Sequence, residues 1–216
     1  MNIVLFGPPG AGKGTQADNL VKDFNLFKIS TGDLLREEVE KGNELGNKIK
    51  SLIDKGSFVP DNIIDDLVKN VISNKSYNNR LVFDGYPRNL NQAKKLDMLI
   101  KDNNQKISCV LNLIVNENTI FKRIIGRQIC TNCKLIFNDF FNPPNNPLHK
   151  CDPKFLQKRS DDTEETLRKR FSTYNKTTLP ILDYYDDQNL LTKIDGMNKI
   201  DEIYKEIRQI ISSLKT

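Results

Sequence analysis

The chain has 216 residues, 38% hydrophobic and 28% charged, with a net charge of +5. That length suits one α/β domain with insertions, and no apolar run approaches the roughly 18 residues a membrane-spanning helix needs, so no membrane partner is expected. The positive excess is mild and never gathers into a basic block, which fits anionic small substrates and argues against a nucleic-acid partner.

In chain order, the first element is a buried strand over 3–6, Ile-Val-Leu-Phe. A start this strand-like, with no basic segment before it, predicts a cytoplasmic protein without a secretory leader. Residues 7–15 follow as Gly-Pro-Pro-Gly-Ala-Gly-Lys-Gly-Thr, and an amphipathic stretch runs from Lys13 to Phe24. Strand, glycine-rich loop and helix start, in that order, make a phosphate-binding loop. Glycines let backbone N–H groups turn onto polyphosphate oxygens, Lys13 brings a point charge to the β/γ region, and the helix N-terminus adds its dipole. The usual pattern has Ser or Thr directly after the lysine. Here Gly14 intervenes, so Mg²⁺ is left to the hydroxyl of Thr15 or mainly to phosphates and water.

Further strand-like runs lie at 27–29, 81–83, 110–115 and 190–194, with helical patterns between them. Alternation of this kind predicts a parallel sheet covered on both faces, with ligands outside the carboxyl ends of the strands. Ile63, Ile64, Leu67, Val68 and Val71 keep helical spacing behind Asp61, a candidate N-cap. Residues 30–59 are helical in pattern but polar, with glycines at 32, 42, 46 and 56, and read as a small flap. Residues 126–158 hold four prolines and three of the four cysteines and read as an inserted lobe. A helix is predicted over about 162–185, opened by the capping-box-like pair Asp162 and Glu165 and divided by Pro180. A last helix covers about 198–214.

Phosphoryl transfer needs positive donors converging on one anionic centre and no covalent nucleophile. The chain offers arginines beside glycine turns and insert borders: Arg36, Arg88, Arg123, Arg127, Arg159 and Arg170. Arg123 and Arg127 are four apart and are expected to share a helix face. Cys109 lies in an apolar run and reads as an inert buried thiol. Cys130-x-x-Cys133 followed by Cys151 has most of the ligand spacing of a zinc knuckle.

The chain resembles the adenylate kinases, the long-type nucleoside monophosphate kinases, over essentially its whole length. The runs that carry the resemblance are Gly-Pro-Pro-Gly-Ala-Gly-Lys-Gly-Thr (7–15), Ile-Ser-Thr-Gly-Asp-Leu-Leu-Arg (29–36), Asp-Gly-Tyr-Pro-Arg (84–88) with Gln92, Arg-Ile-Ile-Gly-Arg (123–127) and Arg-Ser-Asp-Asp-x-Glu-Glu-Thr-x-Arg-Lys-Arg (159–170). The resemblance implies reversible transfer of a phosphoryl group from MgATP to AMP, giving two ADP, in a monomer. It implies a P-loop core of residues 1–29, 60–125 and 159–216, an AMP-binding flap over 30–59 and a lid over 126–158. Both are expected to close on substrates, because an open site would let water attack the transferred group.

By position, the resemblance puts Gly10, Ala11, Gly12, Lys13, Gly14 and Thr15 on the ATP phosphates, with Ile136, Phe137, Arg123, Arg127 and Asn198 also toward ATP. Arg123 is expected to stack on the donor base. Thr31, Arg36, Ser57, Phe58, Val59, Gly85, Tyr86, Pro87, Arg88 and Gln92 are implied for AMP, with Gln92 reading the adenine edge. Lys13, Arg88, Arg123, Arg127, Arg159 and Arg170 are the implied catalytic set, Arg159 and Arg170 also touching AMP. Tyr86, Gln128 and Asn138 replace a more usual Phe, Arg and His. In many family members the lid holds zinc through two cysteine pairs. The fourth ligand would fall at Lys154, which cannot serve. The sequence leaves Asp152 or His149, the only histidine, to complete a set with Cys130, Cys133 and Cys151, or else a metal-free lid held by packing. Two rival readings stand beside this one: a UMP/CMP-type kinase, which the long insert disfavours, and a nucleotide-binding module without transfer, which needs no second nucleotide site.

Overall fold

The computed structural model describes residues 1–55, 57, 59–145 and 149–214. Strands β1 (Asn2–Phe6), β2 (Phe27–Ser30), β3 (Leu81–Asp84), β4 (Ile107–Ile114) and β8 (Leu191–Asp195) form one parallel sheet in the order β2-β3-β1-β4-β8. Strands β5 (Arg127–Cys130), β6 (Ile136–Asn138) and β7 (Leu156–Gln157) form a separate antiparallel sheet, with β5 in the middle. The helices are α1 (Lys13–Phe24), α2 (Thr31–Glu40), α3 (Glu44–Asp54), α4 (Asp61–Ile72), α5 (Leu90–Asp102), α6 (Glu117–Ile125), α7 (Glu164–Thr173), α8 (Ile181–Asp186) and α9 (Ile200–Ser213).

The period-2 geometry of a strand sorts the core into two layers. Val4, Phe6, Phe83 and Val110 pack with Ile64 and Val68 of α4, Leu96 of α5 and Tyr185 of α8. Ile3, Leu5, Val82, Leu111 and Leu113 pack on the other face with Leu20 of α1, Ile124 of α6 and Ile207 of α9. Each fully buried aliphatic chain contributes about 1.5–3 kcal/mol. The strand ends that carry the loops are therefore the rigid part of the molecule. Asparagines that punctuate the sequence serve as helix caps: Asn43, Asn89 and Asn116 accept from the backbone N–H groups of Gly46, Gln92 and Thr119.

Several local expectations are corrected. Asp61 is the first helical residue of α4, not its cap; Pro60 holds that position, and the Asp61 carboxylate accepts from the side chains of Asn89 and Gln92. Asp162 does not cap α7. Thr163 does, accepting from Thr166 N–H, while Asp162 is drawn away by Arg127. Arg123 and Arg127 do not share a helix: α6 ends at Gly126 and Arg127 opens β5. Pro180 does divide the long helix, closing a π-helical turn over Tyr174–Thr178 before α8.

Candidate active site

The loop after β1 turns on glycines. Gly10 and Gly12 hold φ of +82° and +96°, the left-handed region that other residues rarely adopt. A Cβ at Gly10 would also come within 2.9 Å of Ile124. Lys13, the first residue of α1, curls back so that its Nζ donates to the carbonyls of Gly7 (2.7 Å) and Pro8 (3.0 Å). Burial pushes its ammonium down to about 8; the nearby Asp84 carboxylate opposes this, and Arg88 and Arg127 reinforce it. A Cβ at Gly14 would stand 3.4 Å from Asp84 Oδ2, so the start of α1 passes close to the carboxylate at the end of β3. Thr15 is partly accessible in the first turn of α1.

At the neighbouring strand ends, β2 leads into α2 and β3 into the 84–88 turn. Thr31 is buried and donates through Oγ1 to Gly85 O (2.8 Å). Arg88 is tied at three points: Nε donates to Gly85 O (2.7 Å), its own N–H to Gln92 Oε1 (2.7 Å), and its carbonyl accepts from Thr178 Oγ1 (2.8 Å). Burial holds the Arg88 guanidinium down at about 10, with Arg170 and Arg36 lowering it further against Asp84. Gln92 is buried, and its Nε2 donates to Asp61 Oδ1 (2.6 Å). That leaves the amide one N–H and one lone pair, the complement an adenine edge requires. Arg36 pairs with Asp33. Tyr86 is buried and its hydroxyl donates to Asp65 (2.9 Å), which also pairs with Lys95, so the extra oxygen relative to Phe is satisfied. Pro87 is buried beside it and Ser57 is exposed. Val59 lies in the core. Phe58 falls outside the described residues.

The remaining arginines come from the other side. Arg127 forms a forked pair with Asp162, and Arg170 pairs with Asp161; both carboxylates are almost fully enclosed. Arg159 is pushed down to about 10 by burial and by Arg127 and Arg36. Lys13, Arg36, Arg88, Arg127, Arg159 and Arg170, drawn from distant parts of the sequence, thus feel one another's charge across a single cleft. Ser160 Oγ donates to Asp54 at the end of α3 (3.3 Å), so the two sides of the cleft touch. Arg123 stands beside this group. It donates to the carbonyls of Ala11 (3.3 Å) and Gly196 (2.9 Å), linking the phosphate loop to the turn after β8 that carries the exposed Asn198.

In the inserted lobe, Cys130, Cys133, His149 and Cys151 place their ligand atoms within 4.8 Å of one another. His149 Nδ1 lies 3.2 Å from Pro144 O, and its Nε2 is buried without a partner. A donating Nδ1–H leaves Nε2 as a free lone pair facing three sulfurs. Asp152 is not in the group; it caps the short turn at Lys154 and pairs with that lysine. Burial opposes ionisation of Cys130, but the backbone N–H groups of Cys133 and Asn132 and the Cys133 thiol outweigh it and hold the Cys130 thiol well below its usual value. Cys109, by contrast, is pushed up to about 12 by burial. Phe137 is buried against the His149 ring, centroids 4.4 Å apart, and Ile136 is partly accessible.

Sequence reasoning singled out the cations and passed over their partners. Asp161 and Asp162 organise Arg170 and Arg127, and the signal was the acidic pair directly after Arg159. Asp84, the last residue of β3, is the carboxylate that faces Lys13.

The family profile described as "Adenylate kinase" matches residues 5–190. Full-length similarity extends to proteins named adenylate kinase. One from Pelagibacter ubique is 44% identical over 98% of this chain and 99% of its own. One from Methanocella arvoryzae is 43% identical over 99% of this chain and all of its own. One from Archaeoglobus fulgidus is 41% identical over the whole of both.

Proposed function

The chain belongs to the adenylate kinase family and is a phosphotransferase acting between ATP and AMP, and from that premise we propose how its own residues do the work. The core of 1–29, 60–125 and 159–216 holds the phosphate loop, the flap of 30–59 receives AMP, and the lid of 126–158 covers ATP. Gly10 to Thr15 cradle the donor phosphates, with Lys13 on the β/γ oxygens. Arg88, aimed by Gly85, Gln92 and Thr178, takes the acceptor phosphate with Arg36. Arg127, Arg159 and Arg170 surround the group in flight. The transition state spreads charge over its equatorial oxygens, so fixed cations stabilise it more than the ground state. No protein nucleophile takes part; the acceptor phosphate oxygen attacks. Asp84 and Thr15, beside the start of α1, are the residues that would help orient Mg²⁺ bound with ATP, where it would neutralise phosphate charge. Flap and lid closure excludes water.

The single observation that carries this reading is the convergence of six cations from both sides of one cleft, more charge than Asp33, Asp84, Asp161 and Asp162 neutralise. Phosphoryl transfer from MgATP to AMP, CMP, UMP and GMP, followed as diphosphate formation, tests it: turnover with AMP alone is expected, and turnover with UMP or CMP in preference would overturn the acceptor assignment.

The lid further fits a structural zinc ion held by Cys130, Cys133, Cys151 and His149. Three thiol sulfurs and one imidazole lone pair form a closed tetrahedral donor set, which stabilises a fold and leaves no position for chemistry. Elemental analysis giving one zinc per chain after purification without chelator is the expected result; zinc-free protein with an unchanged lid would leave the cluster to packing. The chain is taken to act as a cytoplasmic monomer without nucleic-acid partners; among the described residues no helix is long and apolar enough to cross a membrane.

A further inference from the structure

Beside the phosphate loop lies a cavity of about 600 Å³ that Pro8 touches and that none of the cleft arginines lines. Its walls come from the ends of β4 and β8, from the π-helical turn over Tyr174–Thr178 and from α8. The volume falls in the range of small-molecule sites, which are apolar with a few placed polar groups. Phe171, Leu182 and Leu191 give it an apolar wall, and the half-exposed Ile114 and Leu179 frame its mouth.

Two enclosed polar groups interrupt that wall. Asn112 is only 6% exposed and shares a sheet face with Ile114. Its Oδ1 is buried without a hydrogen-bond partner, and its Nδ2 has none among the described residues. Tyr174 is 9% exposed, and its hydroxyl has no partner among the described residues either. Burial alone pushes that phenol up to about 12. Buried polar side-chain atoms are normally paired, so two unpaired groups on the wall of one cavity point to a ligand that pairs with them. The backbone supports this. Inserted π-helical turns are rare and gather at functional sites, and this one supplies Tyr174 and Asn175 to the cavity.

The charged residues stay at the mouth. Lys193, the cross-strand neighbour of Asn112, is exposed, as are Asp183 and Asp186. The enclosed groups are neutral, so the buried part of the ligand is neutral too, because an unpaired charge costs far more to bury than a paired amide. We propose that this cavity binds an uncharged, largely apolar small molecule with an amide edge: its N–H donates to Asn112 Oδ1, and its carbonyl accepts from Asn112 Nδ2 and the Tyr174 hydroxyl. Rotation about χ2 of Asn112, a soft torsion, brings the side-chain amide round to the cavity. The site is separate from the arginine cleft and does not depend on which nucleotides that cleft takes.

The probe is quinolin-2-one, a bicyclic lactam with that edge, titrated into isotopically labelled protein and followed by amide chemical shifts. Saturating Mg²⁺ and ADP keep the arginine cleft filled. Saturable shifts confined to residues 112–115, 171–183 and 191–193 are expected, with a Kd of about 1–5 mM for a ligand of this size. The N-methyl derivative, which lacks the N–H, should bind about 3- to 10-fold more weakly. Asn112→Leu replaces the amide with an apolar side chain of similar size; it should keep or raise Tm and erase that preference. No saturable shift up to about 5 mM, shifts that ADP removes, or equal binding of the two lactams to the wild type overturns the proposal. So does tighter binding of naphthalene-2-carboxylate, or the preference surviving in Asn112→Leu. None of these outcomes bears on phosphoryl transfer, which the wild-type assay with AMP tests by itself.

Discussion

Lys13 is held near pKa 8 against an ordinary value of 10.5, first by burial and then by Arg88 and Arg127, with Asp84 too weak an offset. Four anionic phosphate charges entering the loop reverse that balance, so ATP binding should restore the proton. With a free-protein pKa of about 8, the lysine is about 10% deprotonated at pH 7 and about 75% at pH 8.5, so ATP should bind with uptake of roughly 0.75 proton at the higher pH. Affinity for MgATP should fall about tenfold between pH 7 and pH 9, since the phosphates themselves are already fully ionised there. Isothermal calorimetry in two buffers of different ionisation enthalpy reads the uptake directly. Identical heats at pH 8.5, or an affinity flat across that range, would refute the assignment of the depressed pKa to phosphate binding. The linkage has a second face. A lysine whose folded pKa is lowered costs stability below pH 8, and the cost is relieved as pH rises from about 8 to 10.5, where the unfolded chain binds more protons. Lys13→Met should therefore stabilise the ligand-free fold by about 1–3 kcal/mol while removing turnover.

Gly85→Ala should cripple AMP use with little effect on ATP affinity: φ is +78°, and the new methyl would sit 3.0 Å from Arg88 Nη2 and 3.2 Å from Thr31 Oγ1. A KM for AMP unchanged within twofold would contradict the role given to that turn. Asp162→Asn strips the charge partner from Arg127, whose side chain is only 18% exposed. Leaving that guanidinium half-satisfied should cost about 2–4 kcal/mol and lower Tm by about 5–15 °C, which thermal unfolding checks; a shift under 2 °C would mean the pair is idle. His149→Ala should abolish zinc retention and loosen residues 127–157, read as faster amide exchange there, with the parallel core unchanged. Full zinc occupancy in that variant would return the fourth ligand to another residue.

How much of this was legible in the sequence depends on the range of the interaction that decides each feature. The phosphate loop was legible because strand, glycines, lysine and helix start are contiguous, and local geometry alone makes the site. The parallel sheet followed from apolar runs alternating with helical patterns, an order that also calls for cover on both of its faces. Caps failed where a long-range partner outbid the local bond. Asp61 lies at a fair cap position, yet Gln92 and Asn89, some 30 residues away, take its carboxylate. Asp162 has Glu165 three residues on, yet Arg127 claims it. An isolated helix end gains about 1 kcal/mol from a cap, and a charge-assisted pair in an enclosed cleft gains more, so the tertiary bond wins.

The same logic explains the arginines and the lid. Spacing placed each arginine at a turn or border but not at a common point, because convergence is a property of the folded sheet ends. Arg123 and Arg127 looked like neighbours on one helix. The helix ends at Gly126 between them, and the side chains diverge: Arg123 turns to the carbonyls of Ala11 and Gly196 and Arg127 to Asp162. In the lid, the cysteine spacing specified a knuckle, but the last donor could not be found by counting from Cys151 to Lys154. The sequence left Asp152 or His149 for that place. The structure groups His149 with the three sulfurs, its Nδ1 3.2 Å from Pro144 O, and turns Asp152 to Lys154 instead, a choice made by local hydrogen bonds that no linear spacing encodes. That is also why Asn138, which stands where the family more often has histidine, is informative. Its amide donates to Arg123 O and accepts from the Phe141 N–H, so one side chain ties the end of α6 to the turn after β6.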